Sequence, residues 1–201
     1  MSLKLLLAAV WTPERVLRKM LEKVDAATTA ALDGILEKHG GGPAVLASSD
    51  EAAHKSVEDA RAAMASGHNA RVKALVDAVG KAKALELGRQ ALYPVGVKLG
   101  MEAREELSVG DGPRELERAA RVLYRALGIQ FELEKQGDGT MLMRVDRCAL
   151  SHHYSEEACA VLSAADEGVV SGLNPRLAMR FERRMTGGNA VCTALIREAG
   201  K

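Results

Sequence analysis

Ile129-Gln130-Phe131-Glu132-Leu133-Glu134, followed by Gln136-Gly137-Asp138-Gly139 and then Met141-Leu142-Met143-Arg144-Val145, is the stretch that decides the fold. Ile129, Phe131 and Leu133 alternate with Gln130, Glu132 and Glu134, and Met141, Met143 and Val145 resume the alternation after the glycine-rich turn. A period of two puts every second side chain on one face of an extended strand, whereas a helix would scatter those residues around its axis. The pattern predicts a β-hairpin with strands over 129–135 and 140–147.

Upstream, the period is helical. Asp111-Gly112-Pro113 opens a segment in which Leu116, Ala119, Ala120, Leu123 and Leu127 share one face, and Gly128 stops it. Before it, Val72, Leu75, Val76, Val79, Leu85 and Leu87 predict one long central helix over 69–107, kinked at Pro94. Gly88, Gly96 and Gly100 remove side chains there, so that another backbone or a ligand can approach closely. An Ala-rich surface helix is predicted over 50–65, ending at Ser66-Gly67. The first amphipathic helix, with Thr12 as its N-cap, runs to His39, where Gly40-Gly41-Gly42-Pro43 breaks it.

Downstream, helices are predicted over 155–170 and 175–185, and the apolar run over 190–197 reads as a closing strand that pairs with the hairpin. Helices, hairpin, helices and strand in that order make an α+β protein, a small antiparallel sheet with helices packed on it and a helical N-terminal half. The 201 residues suit a single domain, with 1–80 as a helical extension.

Lys plus Arg number 28 against 27 Asp plus Glu, a net charge of +1, so no basic field favours nucleic acid. The apolar stretch from Leu3 to Trp11 is too short for the roughly 20 residues a membrane helix needs, and no cleavage site follows it. A cytoplasmic location is expected, with no membrane partner. Helices with so few aromatic residues are expected to bury themselves against a second copy, as a homodimer.

Three cysteines do not make a disulfide framework. Cys148 ends the second hairpin strand, Cys159 lies in the helix that follows, and Cys192 lies in the closing strand. Pairing of that strand with the hairpin would bring all three thiols to one end of the sheet. Thiolates are soft donors that suit zinc or iron, although these cysteines lack the close spacing of common structural zinc sites. Three buried small hydrophobes are the alternative reading.

Cys159, then Gly168-Val169-Val170-Ser171-Gly172, then Phe181-Glu182-Arg183-Arg184-Met185, and finally Gly187-Gly188-Asn189-Ala190-Val191-Cys192 resemble the 4-vinyl-reductase-like domain, which also serves as the ligand-sensing module of bacterial activators that respond to aromatic compounds. Met185 stands where that pattern has a third cysteine. Phe181-x-Arg183, Thr186, the glycine turn and Cys192 are also similar to the 2-amino-thiazoline-4-carboxylate hydrolase family, although Thr193 and Ala194 replace its usual Asp and Phe. The resemblance covers about 85–197. It implies a pocket for a small apolar or heterocyclic ligand and a metal set of Cys148, Cys159, Glu182 and Cys192, holding zinc or iron, including an iron-sulfur cluster. The alternative it implies is a hydrolase-like enzyme, using Cys192 or Cys159 as nucleophile or a metal-activated water.

Two further groups invite a role. His152-His153 offers imidazoles beside Cys148, and Arg176, Arg180, Arg183 and Arg184 crowd one segment where they could grip a carboxylate. No nucleophile elbow, His-Glu-x-x-His, Walker loop or dinucleotide fingerprint is present.

Overall fold

The computed structural model describes residues 3–39, 56–137 and 139–200. Five helices come first: α1 (Leu3–Val10), α2 (Glu14–Lys38), α3 (Val57–Val79), α4 (Lys81–Leu107) and α5 (Pro113–Leu127). The hairpin β1 (Ile129–Lys135) and β2 (Met141–Cys148), α6 (Glu156–Leu173), β3 (Leu177–Arg183) and β4 (Cys192–Glu198) complete the chain. The sheet is antiparallel throughout, in the order β1-β2-β4-β3. The α+β architecture and helical N-terminal half expected from the sequence are therefore present. No described helix is long and apolar enough to cross a membrane.

Alternation fixes which face of the sheet is inside. Phe131, Met143, Val145, Met179, Cys192, Ala194 and Ile196 form one buried cluster with Tyr124 of α5, against which Val170 of α6 packs. Glu132, Arg144, Arg180 and Arg197 lie on the exposed positions between them. A fully buried Leu, Val or Phe contributes roughly 1.5–3 kcal/mol, so a one-residue slip of any strand would forfeit several such contributions at once.

α6 runs through the middle of the molecule, and glycines set its distance from α4. A Cβ at Gly96 would collide with the Ala165 carbonyl oxygen, and one at Gly168 with the Tyr93 carbonyl oxygen. Gly100 and Gly172 face each other in the same contact. The close approach predicted at Gly96 and Gly100 is thus made by the backbone of α6. The N-terminal helices share this core, because Leu32 of α2 and Val72 of α3 cluster with Leu92 of α4 and Val161 of α6. Glu167, itself buried, accepts hydrogen bonds from Arg89 Nη2 at 2.7 Å and from the Phe181 amide at 3.2 Å, tying α4, α6 and β3 together.

Three expectations are corrected. Residues 177–183 form β3, not a helix: Leu177, Met179 and Phe181 alternate with Ala178, Arg180 and Glu182, and pairing with β4 satisfies the backbone. Ser66-Gly67 does not end a helix. α3 continues through it, because burying Met64, Ala65, His68, Val72 and Leu75 outweighs the roughly 1 kcal/mol that a mid-helix glycine costs. The long helix instead divides at Gly80, whose φ of 82° suits glycine, and Pro94 lies inside the continuous α4. The turn over 40–43, the start of the helix predicted over 50–65, and Asp138 of the hairpin turn lie outside the described residues.

Candidate functional site: a thiol-lined cavity

Cys148 closes β2, Cys192 opens β4, and the pairing of Val145 with Cys192 brings the two strand ends together. Cys159 comes from the first turns of α6. That helix is started by Ser155, whose side chain accepts a hydrogen bond from the Ala158 amide at 3.1 Å. Along α6, Cys159, Ser163 and Asp166 follow one another at helical spacing on the same face. All three cysteines, Ser163, Asp166, Arg184, Tyr124 and Tyr154 line one cavity of about 60 Å³. At roughly 10–15 Å³ per water, it has room for a few waters or one small ring. All three thiols border this cavity, with Cys148 and Cys192 reaching it from strands that pair.

Burial dominates the electrostatics. It pushes the Cys148 thiol up to about 12 and raises Cys159 and Cys192 as well. Opposing effects act on the last two: the Arg184 charge favours the Cys159 thiolate, and the Met185 amide donates to Cys192 Sγ at 3.3 Å. Asp166 is raised to about 7, first by burial and then by the charge of Glu167, with Arg184 pulling the other way. The guanidinium of Arg184 is fixed in place, with Nε and Nη2 donating to Ser163 Oγ at 3.1 Å and 2.9 Å.

Two larger apolar cavities, each about 240 Å³, adjoin the site. One lies between α5 and the sheet, the other between α1, α2 and α4 to α6. Tyr124 lines all three cavities, and Asp166 lines the thiol cavity and the second apolar one. The Tyr124 hydroxyl is buried with no hydrogen-bond partner among the described residues.

The other sequence candidates lie elsewhere. Glu182 is exposed on β3 and is not part of the cavity lining. Among the described residues, no three His, Cys, Asp or Glu side chains are arranged to hold a metal ion. The set Cys148, Cys159, Glu182 and Cys192 does not fit a four-ligand zinc or iron shell in this arrangement. His152 and His153 are exposed, with His153 Nε2 at 3.6 Å from Glu58. Of the four arginines, Arg184 alone lines the thiol cavity; Arg176 reaches Asp111 at 3.2 Å.

Sequence reasoning missed Asp166, Tyr154 and His68. The spacing from Cys159 to Ser163 to Asp166 on one helix face was a readable signal. Tyr154 and His68 carried none, since their meeting depends on how α3 packs against the loop before α6.

Solved structures show the same fold. A trafficking protein particle complex subunit 3 from Naegleria fowleri, covalently bound to palmitic acid, superposes with a TM-score of 0.55 at 13% identity, covering 69% of this chain and 94% of that one. The phenol-responsive sensory domain of the transcription activator PoxR, with phenol, superposes at 0.50 with 15% identity, covering 69% and 74%. No curated protein sequence matches the chain. The family model for L-2-amino-thiazoline-4-carboxylic acid hydrolase matches residues 58–195, from the start of α3 to the closing strand that carries Cys192. The chain belongs to that hydrolase family, within the 4-vinyl-reductase-like superfamily.

Proposed function

We propose that the protein is a hydrolase that opens a small heterocycle of the amino-thiazoline carboxylate type, with Cys159 as nucleophile and Asp166 as acid and base. The observation that carries this reading is the Cys159, Ser163, Asp166 face of α6, turned into one cavity with Arg184. The family match supports the reaction class, and the phenol-bound and palmitate-bound structures of the same fold support a buried small-ligand site.

The chemistry balances as follows. Cys159 sulfur bonds to the ring carbon between nitrogen and sulfur, the C=N electron pair moves onto nitrogen, and Asp166 supplies a proton there. The bond from that carbon to the ring sulfur then breaks, and the ring sulfur takes the proton that Cys159 gave up. Water attacks the same carbon, returning one proton to Asp166 and one to the departing Cys159 sulfur, and its oxygen remains as the new carbonyl. Arg184, held on Ser163, meets the substrate carboxylate. An acid titrating near neutrality can both give and take a proton within this cycle.

The test is incubation with 2-amino-thiazoline-4-carboxylate, read by the gain of one water in mass and the appearance of a free thiol. Cys159→Ala is expected to reduce turnover at least 100-fold, and wild-type turnover in that variant would end the proposal. Metal analysis of protein purified without oxygen is the companion measurement. One zinc or iron per chain, lost on substituting Cys148 or Cys192, would replace this reading with a cysteine-ligated metal site. We also infer a homodimer that buries the apolar surface of α1 and the start of α2.

A further inference from the structure

A buried hydroxyl without an acceptor marks a place where a partner belongs, because taking an O–H out of water forfeits a hydrogen bond that nothing replaces. Tyr124 is 5% exposed, and its Oη has no hydrogen-bond partner among the described residues. Burial, and then the charge of Asp166, hold the phenol proton in place, so the group faces its surroundings as a donor. Phe131 packs edge to face with the ring at 5.4 Å between centroids, which keeps the hydroxyl where the three cavities meet.

Of the two apolar cavities, the one among the helices shares both Tyr124 and Asp166 with the thiol cavity. Its wall is built by Met20 and Val24 of α2, Leu107 of α4, Leu123 of α5 and Val169 of α6. The other polar side chains around it are already engaged. Thr12 Oγ1 donates to the Ala8 carbonyl at 2.9 Å, and Lys23 and Glu106, both exposed, pair at 3.0 Å. What faces the interior is an apolar wall with the Tyr124 hydroxyl and the Asp166 carboxyl set into it.

Size and charge narrow the occupant. An apolar cavity of about 150 Å³ stays dry and takes up benzene, so one of about 240 Å³ has room for a ring with a short chain. A carboxylate head would lie beside Asp166, which already feels the charge of Glu167, and an ammonium has no lone pair to offer a phenol hydrogen. A carbonyl oxygen accepts that hydrogen and brings no charge into an apolar chamber.

We propose that the helix-walled cavity is a second ligand site, distinct from the thiol cavity, for an uncharged molecule whose apolar body fills the chamber and whose carbonyl oxygen accepts a hydrogen bond from Tyr124 Oη. An occupant also touches Asp166, the residue that the two cavities share. The site stands on this geometry alone and needs no turnover at Cys159.

The experiment is calorimetric titration of the full chain with benzylacetone and with isopentylbenzene, a hydrocarbon of the same shape in which a CH bearing a methyl group replaces the carbonyl. One hydrogen bond made out of reach of water corresponds to roughly 10-fold in affinity. Wild type is therefore expected to bind the ketone about 10-fold more tightly than the hydrocarbon. Tyr124→Phe removes one oxygen and keeps the ring, so it should abolish that preference while binding the hydrocarbon as wild type does, which also reports that the cavity is intact. Met20→Trp fills the helix-walled cavity and should lose both ligands, whereas Leu133→Trp fills the cavity between α5 and the sheet and should keep both. Equal affinity for ketone and hydrocarbon in wild type overturns the proposal, because water alone then satisfies the hydroxyl. Absence of binding by either ligand overturns it too, as does a Met20→Trp variant that still binds the ketone.

Discussion

Asp166 and His68 are buried with opposite consequences for stability. The Asp166 carboxyl is raised to about 7, above its unfolded value, so its contribution is fully present below the unfolded pKa and is lost as pH rises through about 7. Holding it ionised at pH 8 strains the fold, and Asp166→Asn should relieve that. We expect the variant to gain roughly 2–4 kcal/mol in urea unfolding at pH 8, to gain nothing near pH 3.5, and to lose turnover. His68 is lowered to about 4, so its contribution is present above about 6.5 and lost as pH falls towards 4. His68→Asn should flatten the acid limb of the wild-type stability profile between those values, and an unaltered limb would assign the acid loss to other groups.

The decisive contact between elements is α4 against α6, where the two backbones touch because glycines leave room. Gly96→Ala places a methyl group on the Ala165 carbonyl oxygen, with no flexible side chain to yield. Overpacking of this kind costs about 3 kcal/mol or more, enough to lower the thermal midpoint of a chain this size by roughly 6–12 °C. Gly80→Ala tests a different property, since that residue sits at a φ of 82° with nothing near its missing Cβ. A loss of roughly 1–3 kcal/mol is expected there, from backbone strain alone, since φ 82° with ψ 155° is a conformation essentially confined to glycine. Calorimetry of the two variants should separate steric from conformational demand, and equal effects would contradict the distinction.

Across the whole molecule, Leu7, Val10, Trp11 and Val16 stand 63%, 83%, 71% and 43% exposed at the junction of α1 and α2. A cluster of large apolar groups in one place favours association, and a second copy is the occupant expected. Trp11 is the one tryptophan in the sequence, so its fluorescence should shift to the blue as protein concentration rises. Trp11→Glu should hold the protein monomeric by light scattering. A spectrum independent of concentration, with a monomeric mass at high micromolar protein, would dispose of the dimer.

Sequence alone determined the hairpin and α5, because residues 113–145 carry a clear period that follows directly from the geometry of helix and strand, and the closing strand, because the apolar run over 190–197 is too short for a helix of ordinary length. It also pointed to the cysteines as a group, since pairing of the closing strand with the hairpin could bring Cys148 and Cys192 to one end of the sheet. Only the tertiary structure decided that 177–183 is a strand, because a short apolar run with several arginines is consistent with either period until a pairing partner exists. The same holds for Gly80 over Ser66-Gly67 as the helix boundary, where burial of the flanking residues outweighed local propensity. Asp166 at the cavity and Tyr154 on His68 depend on side chains 86 residues apart or on different elements meeting in space. No local pattern records such a meeting, because long-range packing, and not the chain's own period, brings those groups together.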